Sequence, residues 1–389
     1  MIKRLFVFLI FSTSLISAQV DYSDSWEDFF SYNNVKDFIK SENIMYALSD
    51  NAIFTYDFTT QEINKLSSVQ GLSGETTSAI HYSTQSDRLV IGYKNGLVEV
   101  VDSDGSITIS ADILNFNQTG EKSINDIFEY QGKLYLATSF AIIEYDIDQL
   151  EFGDTFFIGN NSTDVKINEI VVFDDFIYAA TERGIYTADI NNANLIDFNN
   201  WNLISSVNNN YTNIIIFNSK IYTTLNKKLY EVTETNEIVL IDDYSSPIVS
   251  LKGSSTNLSV VLNSSVNIYS TNFDLVLQNN ADINFDYILN TAFAENNQLF
   301  LATKQFGILS SLISDDIIFQ EIHPEGPVSN DVFSVTAKNN QLWVVYGGYT
   351  PTMAPIQPKL GYSHYNGESW FSEENDPDNS FPGFVDVTL

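Results

Sequence analysis

Cysteine is missing from all 389 residues, which excludes a disulfide framework and any thiolate nucleophile or metal ligand. Histidine is almost missing: His81, His323 and His364 stand in separate parts of the chain. No HExxH pair and no histidine cluster forms, so a transition-metal site is not expected. Basic residues are scarce, 18 against 50 acidic ones, giving a net charge of −32. Such a surface repels DNA, RNA and anionic headgroups, which sets aside nucleic-acid binding and simple electrostatic membrane docking. Solubility outside the cell is the plain reading of that charge; a cation or a basic protein partner is the other. There is no G-x-S-x-G elbow, no Walker loop and no Rossmann glycine run, so no cofactor is expected.

The one long apolar run is at the start, MIKRLFVFLIFSTSLISAQ. Lys3 and Arg4 precede the apolar stretch Leu5 to Ile16, and small residues Ser17-Ala18 stand before Gln19. This is the pattern of a secretory signal over residues 1–19, too short to span a bilayer, which takes about 20 apolar residues. The rest of the chain is therefore expected outside the cell, soluble or peripheral.

What fills the chain is one sentence written many times. Lys133 to Asp146 reads as a strand, a tight turn and a returning strand. Copies surround Tyr46, Val90, Tyr178, Tyr222, Ser259, Phe300 and Trp343, at spacings of 37 to 45 residues. Four-stranded propeller blades repeat at about 40–50 residues, and the apolar period is 2 rather than 3.6. A blade cannot bury both faces alone, so blades stack around an axis. The expected fold is all-β: a seven-bladed β-propeller over residues 20–314, then residues 315–389 as the first blade of an incomplete second propeller. Trp26 to Tyr32 looks like an outer strand without a blade of its own. It is expected to complete the last blade and tie the ring shut. Phe384 to Leu389 reads as a lone inner strand, so the chain looks truncated.

Candidate chemistry is thin. Asp102-Ser103-Asp104-Gly105 resembles a fragment of a calcium loop but lacks the spacing and closing Glu, and a hairpin turn explains it better. The acid pairs Asp174-Asp175, Asp242-Asp243 and Asp315-Asp316 fall where turns belong. No catalytic residue is assigned. Lys36, Lys122 and Lys166 lie at or just before inner strands, near one expected channel mouth, with Asn34 beside them. They are the candidate contacts for an anionic ligand; scattered solubilising lysines are the alternative.

Several stretches together resemble the N-terminal half of the PorZ family, components of the type IX secretion system of Bacteroidetes. They are the leader, Trp26 to Asn34, Gln70-Gly71-Leu72-Ser73-Gly74, Ile91 to Leu97 and Gly153 to Asn161. The resemblance implies a non-catalytic cell-surface adaptor associated with the outer membrane, built from two seven-bladed propellers and a C-terminal β-sandwich. It implies partnership with the sortase PorU, with PorV and with PorQ. It also implies binding of anionic lipopolysaccharide, which is presented to PorU. Against that architecture, this chain is expected to hold only the start of the second propeller and not the secretion domain. Two other classes stay open: the sensor propeller of a two-component regulator, and a polysaccharide-active propeller enzyme.

Overall fold

The computed structural model describes residues 26–205, 208–314, 316–354 and 360–373. Among them, eight antiparallel four-stranded sheets follow one another, at 37–66, 77–110, 124–156, 167–203, 211–243, 248–280, 289–322 and 334–373. Strands pair in chain order within each sheet. The fold is all-β and propeller-like. The expected leader, and the expected lone strand from Phe384 to Leu389, lie outside the described residues.

Register is repeated from sheet to sheet. Tyr46 faces Ile39, Tyr135 faces Phe128, Tyr178 faces Val171, Phe300 faces Phe293 and Trp343 faces Thr336. Each pair brings together residues seven apart in sequence, so the uneven spacing of the copies arises in outer strands and loops. Two kinds of turn hold this register. Between the first two strands, Asp174-Asp175, Asn218-Ser219 and Asn296-Asn297 all have positive φ, the signature of two-residue hairpins matched to strand twist. Asp174-Asp175 is thus a turn. Between the second and third strands, Thr138, Thr181 and Thr303 are buried, and each donates its hydroxyl back across the turn. Their acceptors are the carbonyls of Ala141, Gly184 and Gly307, at 2.7, 2.8 and 3.1 Å.

The first seven sheets surround one channel, each lining it with its first, inner strand. Seven core clusters fill the seven interfaces between neighbours. One of these joins the seventh sheet to the first, so the ring is closed: Phe38 and Phe54 pack with Phe300 and Ile308. Phe300 meets Phe38 at 6.4 Å and Phe58 at 5.4 Å, edge-on in both cases. The eighth sheet stands outside the channel lining.

Two expectations are corrected. Residues 26–36 form no strand and do not complete the seventh sheet. That place is taken by Gln320–Ile322, whose Ile322 pairs with Ile308. The seventh sheet thus runs past the expected boundary at 314. Residues 26–36 instead form a strap, and a polar anchor explains why. Asp28, 6% exposed, receives hydrogen bonds from Ser67 (2.7 Å) and Tyr32 (3.2 Å) and pairs with Lys65 at 3.3 Å. A buried carboxylate goes where its partners are, here beside the outer strand of the first sheet. From there the strap reaches the eighth sheet, where Phe29 packs on Tyr365 and Trp370. Ser31 and Asn330 exchange two hydrogen bonds. Gly326 lets the chain cross the strap; a Cβ there would lie 2.4 Å from the Phe30 carbonyl oxygen.

Phe300, 1% exposed at the closing interface, should therefore be expensive to truncate. Phe300→Ala is expected to lower unfolding free energy by about 3–5 kcal/mol in denaturant titration. Phe176→Ala, at a 42% exposed site, should shift it by no more than about 0.5 kcal/mol. Equal effects would mean that the seam does not carry the ring.

Candidate functional site

Inner strands converge on the axis, and their neighbours are too far apart for a continuous backbone ladder. Side chains bridge the gaps instead. In the first, third, fourth and seventh sheets, the side chain three residues before the one that faces Tyr46, Tyr135, Tyr178 or Phe300 donates to a neighbouring carbonyl. Asn125 donates to Ile167 (2.7 Å), Asn168 to Tyr211 (2.7 Å) and Asn290 to Val35 (2.8 Å). Lys36 does the same to Thr77, at 2.9 Å. One residue further in, a carboxylate takes the role from the other side. Asp126 accepts from the Ile170 N–H at 3.0 Å, and Glu169 accepts from the Ile214 N–H at 2.7 Å. Ser250 and Thr291 join the sixth and seventh sheets at 2.8 Å. The repeated polar residues of the inner strands are thus inter-sheet clasps.

Ion pairs reinforce the seam. Lys40 pairs with Glu295 at 3.2 Å. Lys252 reaches from the sixth sheet to Asp37 on the first, at 2.7 Å, and also donates to the Phe38 carbonyl. At another interface His81 meets Glu129 at 2.9 Å, which holds the Glu129 carboxyl below its usual range.

The channel is a cavity of about 570 Å³. Its charged lining consists of Asp37, Asp126 and Glu169 with Lys36, Lys40 and Lys252. Asp126 and Glu169 open to the channel alone and are otherwise surrounded by protein. Burial pushes the Asp126 carboxyl up to about 6, opposed by the N–H groups of Ile170 and Ile127. Burial, and then the charge of Asp126, push Glu169 well above the carboxylate range.

The four candidate residues do not meet at one point. Lys36 alone among them lines the channel. Its ammonium bonds Asp50 (3.3 Å) and Thr77, and burial lowers its pKa while Asp50 opposes the shift. Asn34 joins it through Asp50, at 3.1 Å. Lys122 does not stand in the mouth: its ammonium caps the carbonyls of Leu114 and Phe116 at 2.6 Å, beyond the single helical turn Asp112–Asn115. Lys166 holds the start of its strand by its backbone, opposite Glu182. Sequence reasoning missed Lys94, which acts on Lys36 through its charge, and Lys304, which borders a notch with Asn34 and Asp50. It also missed Asp126 and Glu169. The signal was present, since they stand two residues before Phe128 and Val171, which face Tyr135 and Tyr178.

Residues 45–202 match the family of PorZ N-terminal β-propeller domains of the type IX secretion system. The match falls within the first four sheets of the ring. The solved PorZ of Porphyromonas gingivalis, described as an essential bacterial surface component of that system, superposes with a TM-score of 0.74 at 18% identity. The match covers 90% of this chain and 46% of that one, so this chain spans about half the length of that relative. Other propellers agree less well. The Cps50 (Swd1) propeller of Myceliophteria thermophila gives 0.56 at 11% identity, covering 77% of this chain and all of that one. The WD40 propeller of Doa1 gives 0.55 at 10%, covering 73% and 93%. No curated protein matches the chain by sequence.

The raised carboxyls of this ring fix the sign of its pH dependence. A carboxyl whose folded pKa lies above its unfolded value of 3.8 favours folding below that value and loses the benefit as pH rises through about 6. Asp126→Asn keeps an acceptor for the Ile170 N–H and removes the charge. It should raise the melting temperature above neutrality, with a ceiling of about 3 kcal/mol, and the gain should vanish below about pH 4. A gain independent of pH would show that Asp126 is not charged at a cost.

Proposed function

We propose that this chain is a non-catalytic adaptor of the type IX secretion system at the cell surface, and that its ligand is anionic lipopolysaccharide presented to the sortase PorU. The family match over residues 45–202 carries the reading. The physical character of the ring supports it. The polar residues of the inner strands are used in inter-sheet clasps, which makes a rigid frame and leaves recognition to the loops at its mouths. PorV and PorQ are the further partners of this reading.

The anionic ligand belongs at the mouth rather than in the channel, because Asp126 and Glu169 oppose a negative group inside. At the mouth Lys36 and Asn34 share Asp50, and Lys94 and Lys304 lie nearby. Lys166 is an outlying member of the set.

The clasp offers a clean variant. Lys36→Asn installs the residue that performs the same bond in the third, fourth and seventh sheets, so it removes charge without opening the ring. Combined with Lys94→Gln and Lys304→Gln, it should weaken binding of purified lipopolysaccharide about tenfold, with an unchanged melting temperature and reduced salt dependence. Unchanged affinity would move the site elsewhere. If the unaltered protein binds neither lipopolysaccharide nor PorU, PorV or PorQ in co-purification, the adaptor reading fails.

A further inference from the structure

We propose that the channel of the ring is itself a binding site, for a neutral polyhydroxylated molecule of monosaccharide size. This does not rest on the secretion role or on lipopolysaccharide; it rests on a hydrogen-bond census of the cavity.

The donors of the wall are engaged with protein acceptors. Lys36 is used on Asp50 and Thr77, Lys252 on Asp37 and Phe38, and Lys40 on Glu295. Asn125 gives an amide hydrogen to Ile167, and Asn213 gives its own to Thr212 and Thr224. Acceptors remain. Asp126 accepts from backbone N–H groups of Ile170 and Ile127 and Glu169 from that of Ile214, which leaves acceptor capacity on both carboxylates. The Ser78 hydroxyl, on the same wall, is buried without a partner.

A wall rich in acceptors and poor in donors selects a ligand rich in donors. Ammonium groups and hydroxyl groups both qualify, and charge decides between them. The lining holds three carboxylates and three lysines, so it is near neutral in a protein of net charge −32. Phe128 and Phe293 complete the lining with apolar faces suited to the C–H face of a sugar ring. A volume of about 570 Å³ is in the range of small-molecule sites.

Saturation-transfer NMR on the whole chain tests this, with glucose, mannose, galactose and N-acetylglucosamine as probes. Glucuronate and spermidine serve as the anionic and cationic controls. At least one neutral sugar should bind at millimolar concentration, ahead of both controls. Two variants plug the channel from opposite sides. Ser78→Phe fills it from the second sheet, and Val249→Trp, at a 41% exposed site that tolerates change, fills it from the sixth. Each should lower affinity at least about tenfold while keeping a cooperative melt. Failure of all four sugars to bind overturns the proposal. So does retained binding in a folded plugged variant, or preference for glucuronate or spermidine. Sugar binding without lipopolysaccharide binding would separate this site from the adaptor reading.

Discussion

A ring of stacked sheets is only as stable as its last interface. An unclosed ring would expose two apolar sheet faces and a row of unpaired backbone groups. Here the closing contact between the seventh and first sheets is made by side chains. Phe38, Phe58 and Phe300 form its apolar part and Lys40–Glu295 its ionic part, and Lys252 of the sixth sheet reaches across to Asp37. Among the described residues, none before the first sheet forms a strand of the last one. The strap contributes at the margin instead, with Val35 donating to the Thr303 carbonyl and Asn33 accepting from Gly307.

The same constraint shapes the channel. Inner strands need lateral hydrogen bonds that their backbones cannot supply to one another, so Asn, Lys and carboxylate side chains supply them. Each clasp takes a donor or an acceptor from the wall. The side-chain amides face carbonyls and spend hydrogens; the carboxylates face N–H groups and spend one oxygen of two. The chemistry left inside is therefore a by-product of how the ring is held, with acceptors in excess and two carboxyls driven up by burial.

Much of this was legible in the sequence. The eight strand–turn–strand copies are eight sheets. They could be read because hairpins are local: a two-residue turn and a buried Thr set register within about ten residues of chain. The strap was misread for the opposite reason. Trp26 to Tyr32 has the composition of an outer strand, but its position is decided by Asp28 finding Lys65 and Ser67 some forty residues away. Lys122 was placed at the mouth by its distance from an inner strand, yet its ammonium is held by carbonyls beyond a helical turn the pattern did not show.

By itself the sequence determined the repeat, its period and the strand pairing inside each sheet. All of these rest on contacts between residues close in the chain or on composition. Tertiary structure alone decided which polar residues face each other across the axis. Asp126 and Glu169 are about forty residues apart and unremarkable in an acidic chain. Stacking puts them on neighbouring strands of one channel, and removal from bulk water makes them chemically distinct from the other acids of this protein.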